Sequence, residues 1–166
     1  MDAIRLLTDD HRRVDALFEK FETLKEQIAK KAIVQQLYDE LNVHAQIEET
    51  IFYPAFGKAT KDQEKVDEAL EEHRQVKQLL SDLIQMQASD QGLANRVTKL
   101  KELVQHHVRE EEGEMFPEAR EHLAAGELNR LGEQLDKAKA GAQEKVQQLR
   151  VTMAPEAPVE ARSKSS

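Results

Sequence analysis

The sequence predicts an all-α protein: an up-down-up-down antiparallel four-helix bundle built from two helical hairpins, with a fifth C-terminal helix. Three observations predict it. Charged residues make up 34% of the chain and aromatics only 4%, with six Gly and four Pro in 166 residues, a balance that favours helices over a β core. Apolar residues recur three and four apart in long stretches, the period of a helix with one buried face. The third observation is an internal repeat. His44-Ala45-Gln46-Ile47-Glu48-Glu49, followed by Phe52-Tyr53-Pro54, is matched by His107-Val108-Arg109-Glu110-Glu111-Glu112, followed by Met115-Phe116-Pro117.

From Asp2, an N-cap candidate, the first stripe runs Ile4, Leu7, Val14, Leu17 or Phe18, Phe21, Leu24 and Ile28, with His11 inside it. The second reads Val34, Leu37, Leu41, His44, Glu48 and Ile51 or Phe52, and Pro54 and Gly57 are expected to end it. Thr60-Lys61-Asp62-Gln63 fits a capping box for the third, which carries Val66, Ala69 or Leu70, His73, Val76, Leu80 and Leu83. Ser89-Asp90-Gln91-Gly92 reads as a loop and cap. The fourth stripe is Val97, Leu100, Val104, His107, Glu111 and Met115, ending around Pro117. The segment near 127–150 carries Leu128, Leu131, Leu135, Ala138, Ala142, Val146 and Leu149, a face expected to pack outside the bundle or against another subunit. The expected organisation is thus a bundle over 1–125, an added amphipathic helix over 126–151 and a disordered tail over 152–166, rich in Pro, Ala, Glu and Ser.

The net charge of −8 repels phosphate backbones and anionic lipid, so neither nucleic acid nor membrane is an expected partner. Cysteine is absent, which removes disulfides, iron–sulfur clusters and thiolate zinc sites together. No signal pattern opens the chain and no apolar run approaches a membrane span, so a cytoplasmic protein is expected.

Four histidines and two glutamates occupy seam positions where leucine is expected: His11, His44, Glu48, His73, His107 and Glu111. Taken singly, a seam histidine is an ordinary boundary residue bonded to water or a carbonyl, and one His-x-x-x-Glu is an ordinary surface pair. Two carboxylates in one layer repel each other unless something cationic lies between them. Imidazoles and carboxylates without thiolates suit iron, manganese or zinc, and six ligands suit two ions that share the carboxylates. The Glu-x-x-His of ferritin-like di-iron bundles and the zincin His-Glu-x-x-His are both missing. His106 lies one residue off the seam and His122 near a helix end, both expected in solvent; Glu49 and Glu112 flank the seam in outer or surface roles, and Tyr38 and Tyr53 are expected to pack.

These residues make the sequence resemble the hemerythrin-like (HHE cation-binding) family. The resemblance runs from about Ala3 to His122 and rests on Asp10-His11, the His44…Glu48 box with Phe52-Tyr53-Pro54, Glu72-His73, and the His107…Glu111 box with Phe116-Pro117. It implies a four-helix bundle around two iron ions with an oxo or hydroxo bridge, in which Glu48 and Glu111 bridge the irons and His11, His44, His73 and His107 are terminal ligands. Oxygen-carrying members have a further histidine one turn after the third-helix histidine; here that position is Lys77. The resemblance therefore implies a protein that binds or reacts with a small oxidant, dioxygen, peroxide or nitric oxide, with peroxide removal or nitric-oxide chemistry as candidate activities. The alternatives are an iron- or oxygen-responsive metal-binding module without turnover, and a metal-free bundle that docks a partner through 127–150.

Overall fold

The computed structural model describes residues 1–153, and every regular element in that span is helical. Helix α1 (Ala3–Thr23) and α2 (Gln27–Ile47) form one antiparallel hairpin, and α4 (Gln63–Gln85) and α5 (Leu93–Glu110) form the other. Asp2 caps α1 by accepting from the Arg5 amide at 2.8 Å. The first helix stops sooner than its stripe suggests: Leu24 is its C-cap in extended backbone, and Ile28 belongs to α2 and faces solvent. The capping box is also displaced. Asp62, not Thr60, caps α4, accepting from the Lys65 amide at 3.3 Å, while Thr60 Oγ1 accepts from the Asp62 amide. Before α5, Asp90 accepts from the Gln87 amide and Gly92 takes the cap position, so the expected loop is present without a side-chain cap.

Neither Pro54 nor Pro117 ends its helix. Each sits in the first turn of a short continuation, α3 (Tyr53–Thr60) and α6 (Phe116–His122), where its missing N–H costs least. A five-residue π-helical turn precedes each one: π1 (Glu48–Phe52) after α2 and π2 (Glu111–Met115) after α5. The Tyr53 amide bonds back to the Glu48 carbonyl and the Phe116 amide to the Glu111 carbonyl, five residues rather than four. Such widened turns shift which residues share a face and recur at functional sites.

Helix α7 (Ala125–Met153) runs along the groove between α1 and α2, burying Leu128 and Leu135, with Leu131 and Ala138 at the edge. It therefore packs on its own bundle. Gly132 is where α7 crosses the start of α1: a Cβ there would lie 2.1 Å from the Met1 carbonyl oxygen. Thr152 and Met153 still belong to this helix, and the rest of the expected tail, 154–166, lies outside the described residues. The bundle core divides into two apolar clusters. One, around Leu7, Phe52, Phe56, Val66, Met115 and Phe116, includes the α7 leucines; the other, around Val14, Phe18, Leu37, Leu80 and Leu100, fills the opposite end. A buried polar layer lies between them. No helix among the described residues is long and apolar enough to cross a membrane.

Candidate metal centre

Each of the four bundle helices brings a histidine into this layer one turn from an apolar neighbour, as with Leu7, His11 and Val14 on α1. All six seam residues, His11, His44, Glu48, His73, His107 and Glu111, are buried there, and both carboxylates are fully inaccessible. Two groupings result. His11, His44, Glu48 and Glu111 bring one donor atom each within 4.8 Å of one another, and Glu48, His73 and His107 do the same beside them.

The carboxylates join the halves. Glu48 Oε1 lies 3.2 Å from His44 Nε2 on one side and 3.2 Å from His73 Nε2 on the other. Glu111 Oε1 lies 3.2 Å from His11 Nε2 and 3.3 Å from His107 Nε2. Each therefore touches one histidine of each half, the placement a bridging carboxylate requires.

Four outer carboxylates fix the rings. The Nδ1 atoms of His11, His44, His73 and His107 lie 2.7, 2.9, 2.8 and 2.7 Å from Glu112, Asp10, Glu49 and Glu72. With Nδ1–H donating outward, every Nε2 is aimed at the centre, the usual means of orienting a metal-ligating imidazole. Glu49 and Glu112 thus take outer roles as expected. The roles of Asp10 and Glu72 are additional, and the signal was their position directly before the seam histidines: each grips the histidine of the partner helix in its own hairpin. A cation steadies most of the set in turn, Lys139 and Arg13 on Asp10, Arg12 on Glu112, and Lys77 on Glu49 at 2.7 Å.

The electrostatics show how far this layer is from ordinary. Burial alone would lower the His44 imidazole, but the Glu48 charge and the hydrogen bond that His44 Nδ1 donates to Asp10 push it up to about 10. His11, His73 and His107 are raised against their own burial by the same kind of carboxylate contact. Asp10, although buried, is held at about 2 by His44 and Lys139, and Glu48 lies well below the usual carboxylate range because imidazoles surround it. The two inner carboxylates, Glu48 and Glu111, have only imidazoles as counter-charge, a setting that calls for cations. His11 Nε2, His44 Nε2, Glu48 Oε2 and Glu111 Oε1 are buried with no hydrogen-bond partner. Orphaned polar atoms are rare in folded cores, and four converging at one point fit a first-row metal with nitrogen and oxygen ligands.

Tyr53 corrects a sequence expectation: it is not only a packing residue. Its hydroxyl reaches into the layer and lies 2.7 Å from Glu111 Oε2 and 3.2 Å from Glu48 Oε1. The sequence hid this because residues five apart do not share a face on an α-helix, whereas the π1 turn aims Glu48 and Tyr53 at the same point. Tyr38 packs against the apolar cluster away from the centre. His106 is 58% exposed and pairs with Glu72 and Glu110, and His122 donates to the Glu118 carbonyl at the surface. On the other side of the histidines a cavity of about 30 Å³ is walled by Val14, Leu41, Val76 and Val104, with Lys77 beside it.

Residues 2–119 match the family described as the hemerythrin HHE cation binding domain. Among solved structures, a crystal structure of a hemerythrin HHE cation binding domain-containing protein from Mycobacterium kansasii, the Rv2633c homolog, superposes with a TM-score of 0.81 at 27% identity, covering 93% of this chain and 95% of that one. An uncharacterized hemerythrin-like protein of Schizosaccharomyces pombe is 25% identical over 78% of this chain and 65% of its own length. A protein of Nostoc sp. (strain PCC 7120) named DNA nickase is 26% identical over 87% of this chain and 40% of its own length. The chain spans less than two thirds of either of these two relatives. With a matched region that takes in all seven buried polar residues, the chain belongs to the hemerythrin HHE cation-binding domain family.

Proposed function

We propose that this is a di-iron protein that binds or reacts with a small oxidant: dioxygen, peroxide or nitric oxide. One observation carries the reading. Glu48 and Glu111 each span the two histidine pairs, so the donor set has the shape of two adjacent ions sharing two carboxylates, with His11 and His44 serving one and His73 and His107 the other. When bound, iron with a bridging oxygen supplies redox and Lewis-acid chemistry toward such ligands. The chain's own residues do the rest. The outer carboxylates orient the imidazoles, the apolar clusters exclude bulk water, and the cavity beside the histidines offers room for only one or two water-sized molecules. Lys77, standing where oxygen carriers have a fifth imidazole, is engaged with Glu49 instead.

The test is metal content per chain, with an absorption spectrum before and after peroxide. About two irons and a charge-transfer spectrum that responds to peroxide, dioxygen or nitric oxide is the expected result. Iron that answers to none of the three would leave the other reading, an iron-responsive module without turnover. That reading is supported by the Lys139 contact, which ties α7 to the Asp10 carboxylate and through it to the His44 ring, and so links metal loading to the added helix. The relative named DNA nickase is matched over 40% of its own length, and the net charge of −8 weighs against a phosphate backbone as partner in this reading.

A further inference from the structure

Helix α7 begins after the matched family region ends at residue 119, yet it reaches the metal centre. Its buried face runs through Leu128 and Leu135, and one turn further on the side chain is Lys139. The Lys139 ammonium donates to Asp10 Oδ1, and Asp10 Oδ2 accepts from His44 Nδ1 at 2.9 Å. A fixed positive charge therefore stands two contacts behind one metal-facing imidazole. It is also the most enclosed of the outer cations: Lys139 is 12% exposed, against 42% for Lys77 beside Glu49, 52% for Arg13 beside Asp10 and 55% for Arg12 beside Glu112. Glu72, behind His107, meets the solvent-facing His106 and the acidic Glu110 in place of a lysine or arginine. A carboxylate that accepts the Nδ1–H of a ligating imidazole makes the ring a stronger donor, which favours the ferric ion over the ferrous. A buried cation on that carboxylate opposes this push, and its own field works against the higher metal charge in the same sense.

We propose that Lys139 is a positioning residue that α7 supplies to the metal centre, acting through Asp10 and His44 to hold the iron of His11 and His44 at a higher reduction potential than the iron of His73 and His107. The inference rests on the di-iron reading above. The iron of the His11/His44 half is then the first to be reduced. One electron from an external one-electron donor converts that ferric ion to ferrous, no ligand bond breaks, and the Nδ1 proton stays on His44. A unit charge about 10 Å away at an effective dielectric near 20 is worth about tenfold in the ferrous-to-ferric ratio, or about 60 mV. Exposed cations such as Lys77 contribute less, because water and salt screen them.

The experiment is iron analysis combined with a stepwise reductive titration of the iron-loaded full chain, using dithionite with redox mediators and followed by absorption. The variants are Lys139→Gln, which keeps a donor for Asp10 without the charge, Lys139→Arg, which keeps the charge, and Lys77→Gln. The expected result is two one-electron steps in the unaltered chain. In Lys139→Gln the first step falls by about tenfold in the ferrous-to-ferric ratio and the second moves less; Lys139→Arg restores the unaltered values, and Lys77→Gln moves the first step less than Lys139→Gln does. Should Lys139→Gln fail to hold iron, Lys139→Met gives the same comparison. A single two-electron step in the unaltered chain, a first step that Lys139→Gln leaves in place, or equal shifts in Lys139→Gln and Lys139→Arg overturns the role of Lys139 and leaves the di-iron reading standing. No iron in the unaltered chain overturns both.

Discussion

His11 stacks on the phenyl ring of Phe116, whereas His73 and His107 face the hydroxyl of Tyr53, although the two aromatics hold the same place in the repeated boxes. The same division runs through the outer carboxylates. Asp10, behind His44, is 1% exposed and gripped by Lys139 from α7. Glu72, behind His107, is 15% exposed and meets only the solvent-facing His106 and the neighbouring Glu110, whose carboxyl is pushed up to about 7 by burial and by Glu72 itself. A duplicated pattern therefore supplies two equal sets of ligands, and the residues one step further out make them unequal. The His11/His44 half is braced from behind and leaves its inward nitrogens orphaned; the His73/His107 half is looser behind and has its inward nitrogens met by a phenol.

The largest effect should come from removing what the halves share. Glu48→Ala and Glu111→Ala each strip a carboxylate that contacts a histidine of both pairs, so both irons should be lost, read as metal per chain. Retention of one iron would mean that the halves bind independently. The next contrast is between the halves. Asp10→Asn and Glu72→Gln each weaken an outer contact, a change worth on the order of 10 to 100-fold in metal affinity. The Asp10 variant should fall at the upper end because Asp10 is itself buried and held by both Lys139 and Arg13, and the Glu72 variant at the lower end, as measured by competition with a chelator. Equal losses would remove the inequality.

Protons compete for the same nitrogens. His44 has a folded-state value near 10 against about 6.5 in the unfolded chain, so its protonated form adds stability that is complete below about 6.5 and lost as pH rises through 10. Asp10, lowered to about 2, adds stability that is present above about 4 and lost as pH falls through 2. Chelator-treated protein should therefore lose thermal stability between pH 6.5 and 10, as followed by circular dichroism, while iron-loaded protein should hold its stability there because the metal replaces those protons. Parallel curves for the two forms would break the link between the buried charge and the metal.

Much of this was legible in the chain because a repeat is easy to read. The seam period places His11, His44, His73 and His107 in one layer, and the i+4 glutamates of His44 and His107 follow from helical geometry alone. The two π turns were not legible, since Pro54 and Pro117 look like stops, and the local rule has no means of seeing that a widened turn lets the chain continue. Missing π1 also meant missing Tyr53, whose aim depends on that turn. Gly132 was silent for a different reason: a glycine inside a helical pattern marks a close approach only when the partner backbone is known. Gly132→Ala should force α7 and the start of α1 apart and lower stability by about 1 to 3 kcal/mol, the usual range for overpacking, with the iron site less affected than the melting temperature.

The smallest effects separate ligands from bystanders. His106 is adjacent to His107 and sits four residues before Glu110, so it copies the His-x-x-x-Glu spacing of the real boxes one residue out of phase. That one-residue offset turns the side chain through about 100° on the helix, from the buried layer to solvent. His106→Ala should therefore keep both irons and shift stability by no more than about 0.5 kcal/mol, as for an exposed site, and His122→Ala should do the same at the surface end of α6. The comparison is sharpest in the pair His106→Ala and His107→Ala, adjacent in sequence and opposite in expectation. Iron lost from the first and kept by the second would shift the frame of α5 by one residue and with it the assignment of Glu111.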